Sequence, residues 1–231
     1  MALADDLKSE VSNIFKAAWG VTSGRVVPAP ASIGLGNSAI EFDSATVLYA
    51  DLDGSTTMVD TKKWQFSAEI YKTYLICAAK IIKSQDGVIT AYDGDRIMAV
   101  YIGERKNTRA VFSALKINWA VKNIINPAIV AQYPQSPFTV RHVVGVDTSP
   151  IKVARTGVRG DNDLVWVGRA ANYAAKLTTL SSDSPTWITA DVYNALADDA
   201  KQYNGKAIWD ARLWTAMNNM TIYRSDWTWS V

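Results

Sequence analysis

One cysteine in 231 residues, Cys77, excludes an intrachain disulfide and a zinc cage, and its setting in a helical pattern suits a small buried apolar side chain. A chain this poor in cysteine fits a reducing compartment, so a cytoplasmic location is expected. Histidine is equally scarce. The single one, His142, lies in the strand-like run VRHVVGV, where a packed core residue is the ordinary outcome, and it is given no catalytic role. Charge of one sign is missing too. The 24 basic and 22 acidic residues are mixed along the chain for a net charge of +2, without the polybasic field that draws nucleic acid or membrane surfaces, so neither is expected as a partner. No stretch approaches the roughly 20 apolar residues of a membrane span. The N-terminus, MALADDLKSEVSNIF, is acidic early and lacks the apolar core of a signal peptide. The expectation is a chain neither exported nor membrane-embedded.

Apolar residues make up 48% of the chain, enough for one good core. Nine tryptophans and ten tyrosines serve either that core or an oligomer interface, where aromatics supply much of the contact energy. Residues 5 to 19 read as a helix, followed by the connector GRVVPAPASIGLGNS, whose composition suits an extended surface path. Residues 1–40 are thus an N-terminal helix and connector, and residues 41–231 are the principal domain of one structural unit. From Thr46 to Tyr49 the sequence is strand-like and runs into DLDGST, a turn cluster opening a long helix. In that helix Trp64, Ala68, Tyr71, Leu75, Ala78 and Ile82 recur at spacings of three and four, one buried face. GVITAY and RIMAVY then flank Asp93-Gly94 as a tight hairpin.

A helix with Ala110, Ala114, Ile117, Val121 and Ile124 follows, ending near Asn126-Pro127. Thr139 to Val146 returns as strand and pairs with Ile151 to Thr156 in a second hairpin; GVRGDND is a loop and LVWVG a short buried segment. Then come the helix RAANYAAKLTTL, a strand at TWIT, a short helix from Asp191, and terminal strands near Trp209 and Trp227. This order predicts an α+β, ferredoxin-like fold: a mainly antiparallel sheet with helices packed on one face.

Two carboxylates stand out. Asp51 ends the first core strand, and Leu52-Asp53-Gly54-Ser55-Thr56 lead to a helix N-terminus whose free N–H groups favour phosphate. Asp95 occupies the first position after the Asp93-Gly94 turn. If the two strands are neighbours, both carboxylates converge on one sheet edge, and such hard oxygen ligands suit Mg²⁺ or Mn²⁺. Read without further context, aspartates in these places also serve as turn formers and helix caps.

YADLDGST, GVITAYDGDRIMAVY and VWVGRAANYAAKL together resemble the three signature blocks of class III adenylate and guanylate cyclases, in the family's order, over about residues 42 to 190. The resemblance implies that residues 41–231 are a nucleotidyl cyclase catalytic domain, with Asp51 and Asp95 holding two divalent ions and the backbone carbonyl of Leu52 completing one metal site. It also implies a head-to-tail homodimer with shared active sites. An asparagine and an arginine from the partner's third-block helix then contact ribose and triphosphate. Here these positions are Asn172 and Lys176, at the i, i+4 spacing of one helical face. Lysine retains the charge and loses the planar fork of arginine.

The purine-reading polar residues of the resembling cyclases are replaced by Ala91 and Val165. Tyr92 and Arg96 form a Y-x-x-x-R pattern instead, which resembles the nucleotide-specifying motif of bacterial uridylate cyclases of Pycsar antiphage systems. Tyr49 is a second candidate for base contact. With a turn at Asp93-Gly94, Ala91 would pair with Arg96 and Tyr92 with Asp95. Arginine is a donor-only group, and uracil offers acceptor oxygens at O2 and O4 where cytosine shows an amino group. The implied substrate is UTP, the implied product cyclic UMP, and the implied listener a separate cyclic-nucleotide-responsive effector. The other readings are a cytidylate or purine cyclase, a silent nucleotide-binding module of the same fold, or a polymerase-like nucleotidyltransferase.

Overall fold

A computed structural model of the chain describes residues 2–231. The elements in order are α1 (Leu3–Lys16), β1 (Gly20–Ser23), β2 (Ser38–Asp53), α2 (Ser55–Thr61), α3 (Trp64–Ser84), β3 (Val88–Asp93) and β4 (Arg96–Tyr101). Next come α4 (Lys106–Ala120), α5 (Asn126–Gln132), β5 (Arg141–Val158), β6 (Asp161–Val167) and α6 (Arg169–Leu177). The chain closes with β7 (Thr186–Thr189), α7 (Ala190–Asn194), β8 (Gln202–Tyr203), β9 (Lys206–Ala207), β10 (Asp210–Trp214) and β11 (Met220–Ser225). The main sheet runs β10-β11-β7-β5-β2-β4-β3, with β1 alongside β2 and β6 alongside β5. Among the described residues, only β5–β7 and β1–β2 are parallel pairs. The core strands β5-β2-β4-β3 have the order of the ferredoxin-like motif, as the sequence pattern predicts.

Alternation along β2 divides the interior. Leu48, Ala50 and Leu52 face Ile70, Tyr74 and Ile82 of α3 and Ala114 and Leu115 of α4 in the larger core. Ala45 and Val47 point the other way, with Val153, Trp166 and Ala170, Ala171 and Ala174 of α6. So α6 lies on the face opposite α3 and α4, and the expectation of helices on one face is corrected. Gly145 permits its close approach: a Cβ there would sit 2.2 Å from the Ala174 carbonyl oxygen.

Several boundaries also differ from the sequence pattern. The first helix ends at Lys16 because Ala17 turns extended, and none of its residues is buried. Trp64 is exposed; Ala78 and Ile82 are buried as the pattern predicts, and Phe66, Ile70, Tyr74 and Ile81 carry the rest of the buried face of α3. The helix that begins at Lys106 does not stop at Pro127. A π-helical turn at Val121–Ile125 interrupts the hydrogen-bond ladder, and Pro127 falls in the first turn of α5, where its missing N–H costs little. Finally, β5 is one strand through Ile151, and its hairpin partner is β6, turning at 159–160. LVWVG is therefore mostly strand.

His142, opposite Leu52 in the β5–β2 pairing, is buried against Tyr74 with ring centroids 5.8 Å apart. Burial, aided by Lys122, holds its pKa down at about 3. An unfolded histidine titrates near 6.5, so the unfolded chain takes up the extra proton between these values. Stability is full above about pH 6.5 and is lost as pH falls. Urea unfolding should therefore show the wild type losing about 2 kcal/mol more than His142→Gln between pH 7 and pH 5. Equal losses would mean the imidazole is not desolvated.

Candidate active site

Antiparallel pairing sets Ala50 of β2 opposite Ile97 of β4, which brings the C-terminal end of β2 beside the β3–β4 turn. Asp51 and Asp95 meet there. Desolvation, and then the negative charge of Asp95, push the Asp51 carboxyl up to about 6, while Arg96 and the Leu52 N–H, which donates to it, pull the other way. Among the described residues, the buried Oδ2 of Asp95 has no hydrogen-bond partner. Asp51 and Asp93 share one guanidinium, that of Arg96, and its ion pair is with Asp93. Two adjacent carboxylates, one with an orphaned buried oxygen, fit a divalent cation bound through hard oxygens. No group of three or more His, Cys, Asp or Glu side chains poised for a metal occurs among the described residues. A cation here would need further oxygens from carbonyls, water or a phosphate ligand.

The hairpin turn lies one residue beyond the sequence expectation, which shifts the pairing register by two. The turn is Gly94-Asp95, so Asp93 pairs with Arg96, Tyr92 with Ile97, and Ala91 with Met98, with a bulge between Ile89 and Ala91. Asp95 sits in the turn itself. Arg96 Nη2 donates to Asp93 Oδ2 at 2.9 Å, and the guanidinium lies 5.4 Å from the centroid of the Tyr49 ring. Burial lifts the Tyr49 phenol pKa above its usual value, with Arg96 opposing the shift. Tyr92 is 56% exposed on β3, so the aromatic partner of Arg96 is Tyr49.

At the loop, Gly54 is the N-cap of α2 with φ of 74°, a left-handed conformation that favours glycine, and no side chain caps the helix start at Ser55 and Thr56. Its first N–H groups remain free of side-chain oxygens. Asp53 is engaged elsewhere: Ser182 Oγ donates to its Oδ2 at 2.5 Å, and Arg141 Nε lies 3.4 Å away. Two residues that sequence reasoning did not assign to the site border it. Tyr71 and Tyr74 of α3 have phenol pKa values raised first by burial, with the charges of Asp51 and Asp95 adding to the shift. Their i, i+3 spacing, ending one helix behind the DLDGST loop, was the available signal.

Asn172 and Lys176 are exposed on the outer side of α6, sharing a face as their spacing predicts. Lys176 Nζ lies 3.8 Å from Met217 Sδ. Among the described residues, neither side chain forms a hydrogen bond or ion pair with Asp51 or Asp95. One chain therefore assembles the carboxylates, Arg96 and Tyr49, and leaves Asn172 and Lys176 facing outward.

Relatives decide the family. A protein of Xanthomonas perforans named uridylate cyclase is 56% identical over the full length of both chains. One of Burkholderia cepacia with the same name is 58% identical, again over the full length of both. The chain belongs to the uridylate cyclase family. A nucleotidyl cyclase by this membership, it also shares its fold with the crystal structure of the guanylyl cyclase Cya2, at a TM-score of 0.68 and 17% identity over 82% of this chain and 94% of that one. No protein-family model matches. No helix among the described residues is long and apolar enough to cross a membrane.

Proposed function

We propose that this member of the uridylate cyclase family converts UTP to 3′,5′-cyclic UMP and pyrophosphate. The observation that carries the base assignment is the Arg96–Tyr49 pair beside the two aspartates. Asp51, Asp95 and the Leu52 carbonyl would hold two divalent ions, Mg²⁺ or Mn²⁺. When bound, such ions acidify the ribose 3′-hydroxyl and neutralise charge on the leaving pyrophosphate. The open N–H groups after Gly54, with Ser55 and Thr56, receive phosphate oxygens, and Asp53 anchors that loop to Arg141 and Ser182. Arg96 donates to the acceptor edge of uracil over the Tyr49 ring, and Tyr92 closes the exposed side. The outward-facing Asn172 and Lys176 support a homodimer in which each α6 completes the other chain's site, Asn172 at ribose and Lys176 at the triphosphate. The sequence resemblance to Pycsar cyclases supports a product read by a separate effector in antiphage defence.

The test is direct. Purified protein incubated separately with UTP, CTP, ATP and GTP in Mn²⁺ or Mg²⁺ should release cyclic UMP as its main product, identified by mass. Preferential cyclisation of CTP or a purine triphosphate would overturn the base assignment; turnover of none would overturn the catalytic one.

A further inference from the structure

A second cluster of charged side chains lies at the foot of α6, outside the carboxylate site. Asp147 of β5 is fully buried, and burial pushes its carboxyl pKa up against the opposing pull of Thr189 and Arg169. Arg169 Nε and Nη2 donate to its two oxygens at 3.1 and 3.3 Å, and the Thr189 hydroxyl donates to Oδ1. The same Nη2 donates to the Thr148 carbonyl at 2.7 Å and to Asp191 Oδ2 of α7. Beside it, the Ala170 N–H donates to Ser149 Oγ at 3.0 Å. One guanidinium thus ties the first turn of α6 to both β5 and α7.

Stability is a weak reason for such a network, because a buried ion pair gains little over well-packed apolar residues. Register is a better one. The buried residues of α6 are Ala170, Ala171, Ala174 and, at its far end, Leu177. Alanines let the helix close on Gly145 but interlock little with the sheet, so the first turn needs another fastening. Arg169, Asn172 and Lys176 fall at i, i+3 and i+7 on one stripe of the helix, and the Arg169 guanidinium also lies 5.5 Å from the Tyr173 ring centroid. We propose that Arg169, held by Asp147 and Asp191, is a positioning residue for cyclisation: it sets α6 on the sheet and so places Asn172 and Lys176 in the partner's site. It acts through those two side chains and touches no substrate itself. This role rests on the reading of α6 as half of the partner's site.

A defect of that kind is confined to one half-site, which mixed dimers detect. Arg169→Lys keeps a charge beside Asp147 but cannot reach the Thr148 carbonyl and Asp191 together. It should stay a folded dimer by circular dichroism and sedimentation velocity, yet lose at least about tenfold in kcat for UTP, since a misplacement of about 1 Å costs up to 10²-fold. Asp191→Asn, altered at the exposed end of the network, leaves the buried pair intact and should lose at least about threefold. Excess Asp51→Ala chains should return each variant's turnover, per variant chain, to the wild-type value, because their intact α6 then serves the variant's carboxylates. Excess Asn172→Ala chains should not. A general folding defect would damage the variant's own carboxylate half and resist both. Smaller losses in both variants, no rescue by Asp51→Ala chains that do rescue Asn172→Ala, or rescue by Asn172→Ala chains as well would each overturn the positioning role. If Asn172→Ala itself is not rescued after demonstrated subunit exchange, the shared site falls first and the role of Arg169 falls with it.

Discussion

Replacing Asp51 or Asp95 with alanine is expected to lower kcat for cyclisation by at least about 10³-fold while leaving the chain folded, because each substitution removes one of the two carboxylates available to a divalent ion. The folding half of this expectation comes from the electrostatics. Asp51 is raised to about 6 by its desolvation and by Asp95, so the folded protein without metal gains nothing from having both groups ionised. Deleting either relieves repulsion, and thermal unfolding in chelator should show a Tm no lower than wild type. Adding Mn²⁺ should then raise the wild-type Tm and leave those of both variants nearly unchanged, since only a ligand that prefers the folded site stabilises it. A variant retaining turnover within tenfold of wild type would remove that aspartate from the metal assignment. Mixing Asp51→Ala with Asn172→Ala chains should restore activity, because one site of the mixed dimer keeps both intact contributions. Failure of recovery after demonstrated subunit exchange would count against shared sites.

Much of this site was legible before any coordinates. The strand-to-helix loop after Asp51, the hairpin carrying Asp95 and the core strand order follow from local patterns that tertiary packing did not override. The misplaced details have identifiable causes. Asp93-Gly94 has the chemistry of a hairpin turn, but a bulge after Ile89 and the Asp93–Arg96 ion pair shift the turn to Gly94-Asp95, and a bulge leaves no plain trace in composition. Either register keeps Arg96 on the face shared by Ala91 and Asp93, and its aromatic neighbour, Tyr49, comes from another strand. Periodicity on α3 held at Ala78 and Ile82, which are fully buried, and in part at Tyr71 and Leu75, while Trp64 at the helix start is exposed and packing against the sheet adds Phe66, Ile70 and Tyr74. Pro127 marked a helix end by propensity, and the π-helical turn before it carried the helix past that mark. Asn172 and Lys176 illustrate a different limit. Their shared face is a property of one helix, whereas a role opposite Asp51 requires a second chain.

Base selection is the second place where one side chain should have a large effect. Arg96→Ala is expected to lower kcat/KM for UTP by roughly 10²-fold or more, since a site that hydrogen-bonds the correct base loses its discriminating donor. A fall confined to UTP, with the UTP-to-CTP ratio collapsing towards one, assigns Arg96 to the base. Equal losses for all triphosphates would place it instead at the phosphates or at Asp51, whose carboxyl it pulls downward. Tyr49→Phe and Tyr49→Ala separate the ring from its hydroxyl. The phenylalanine variant retains the face beneath Arg96 and should keep most UTP selectivity, whereas the alanine variant should approach Arg96→Ala. Arg96→Lys is the sharper probe. Lysine keeps the charge near Asp51 and Asp93 but cannot present a planar fork, so turnover should survive better than selectivity. If Arg96→Lys preserved the full preference for UTP, a positive charge alone would suffice, and recognition of the acceptor edge by the guanidinium would be excluded.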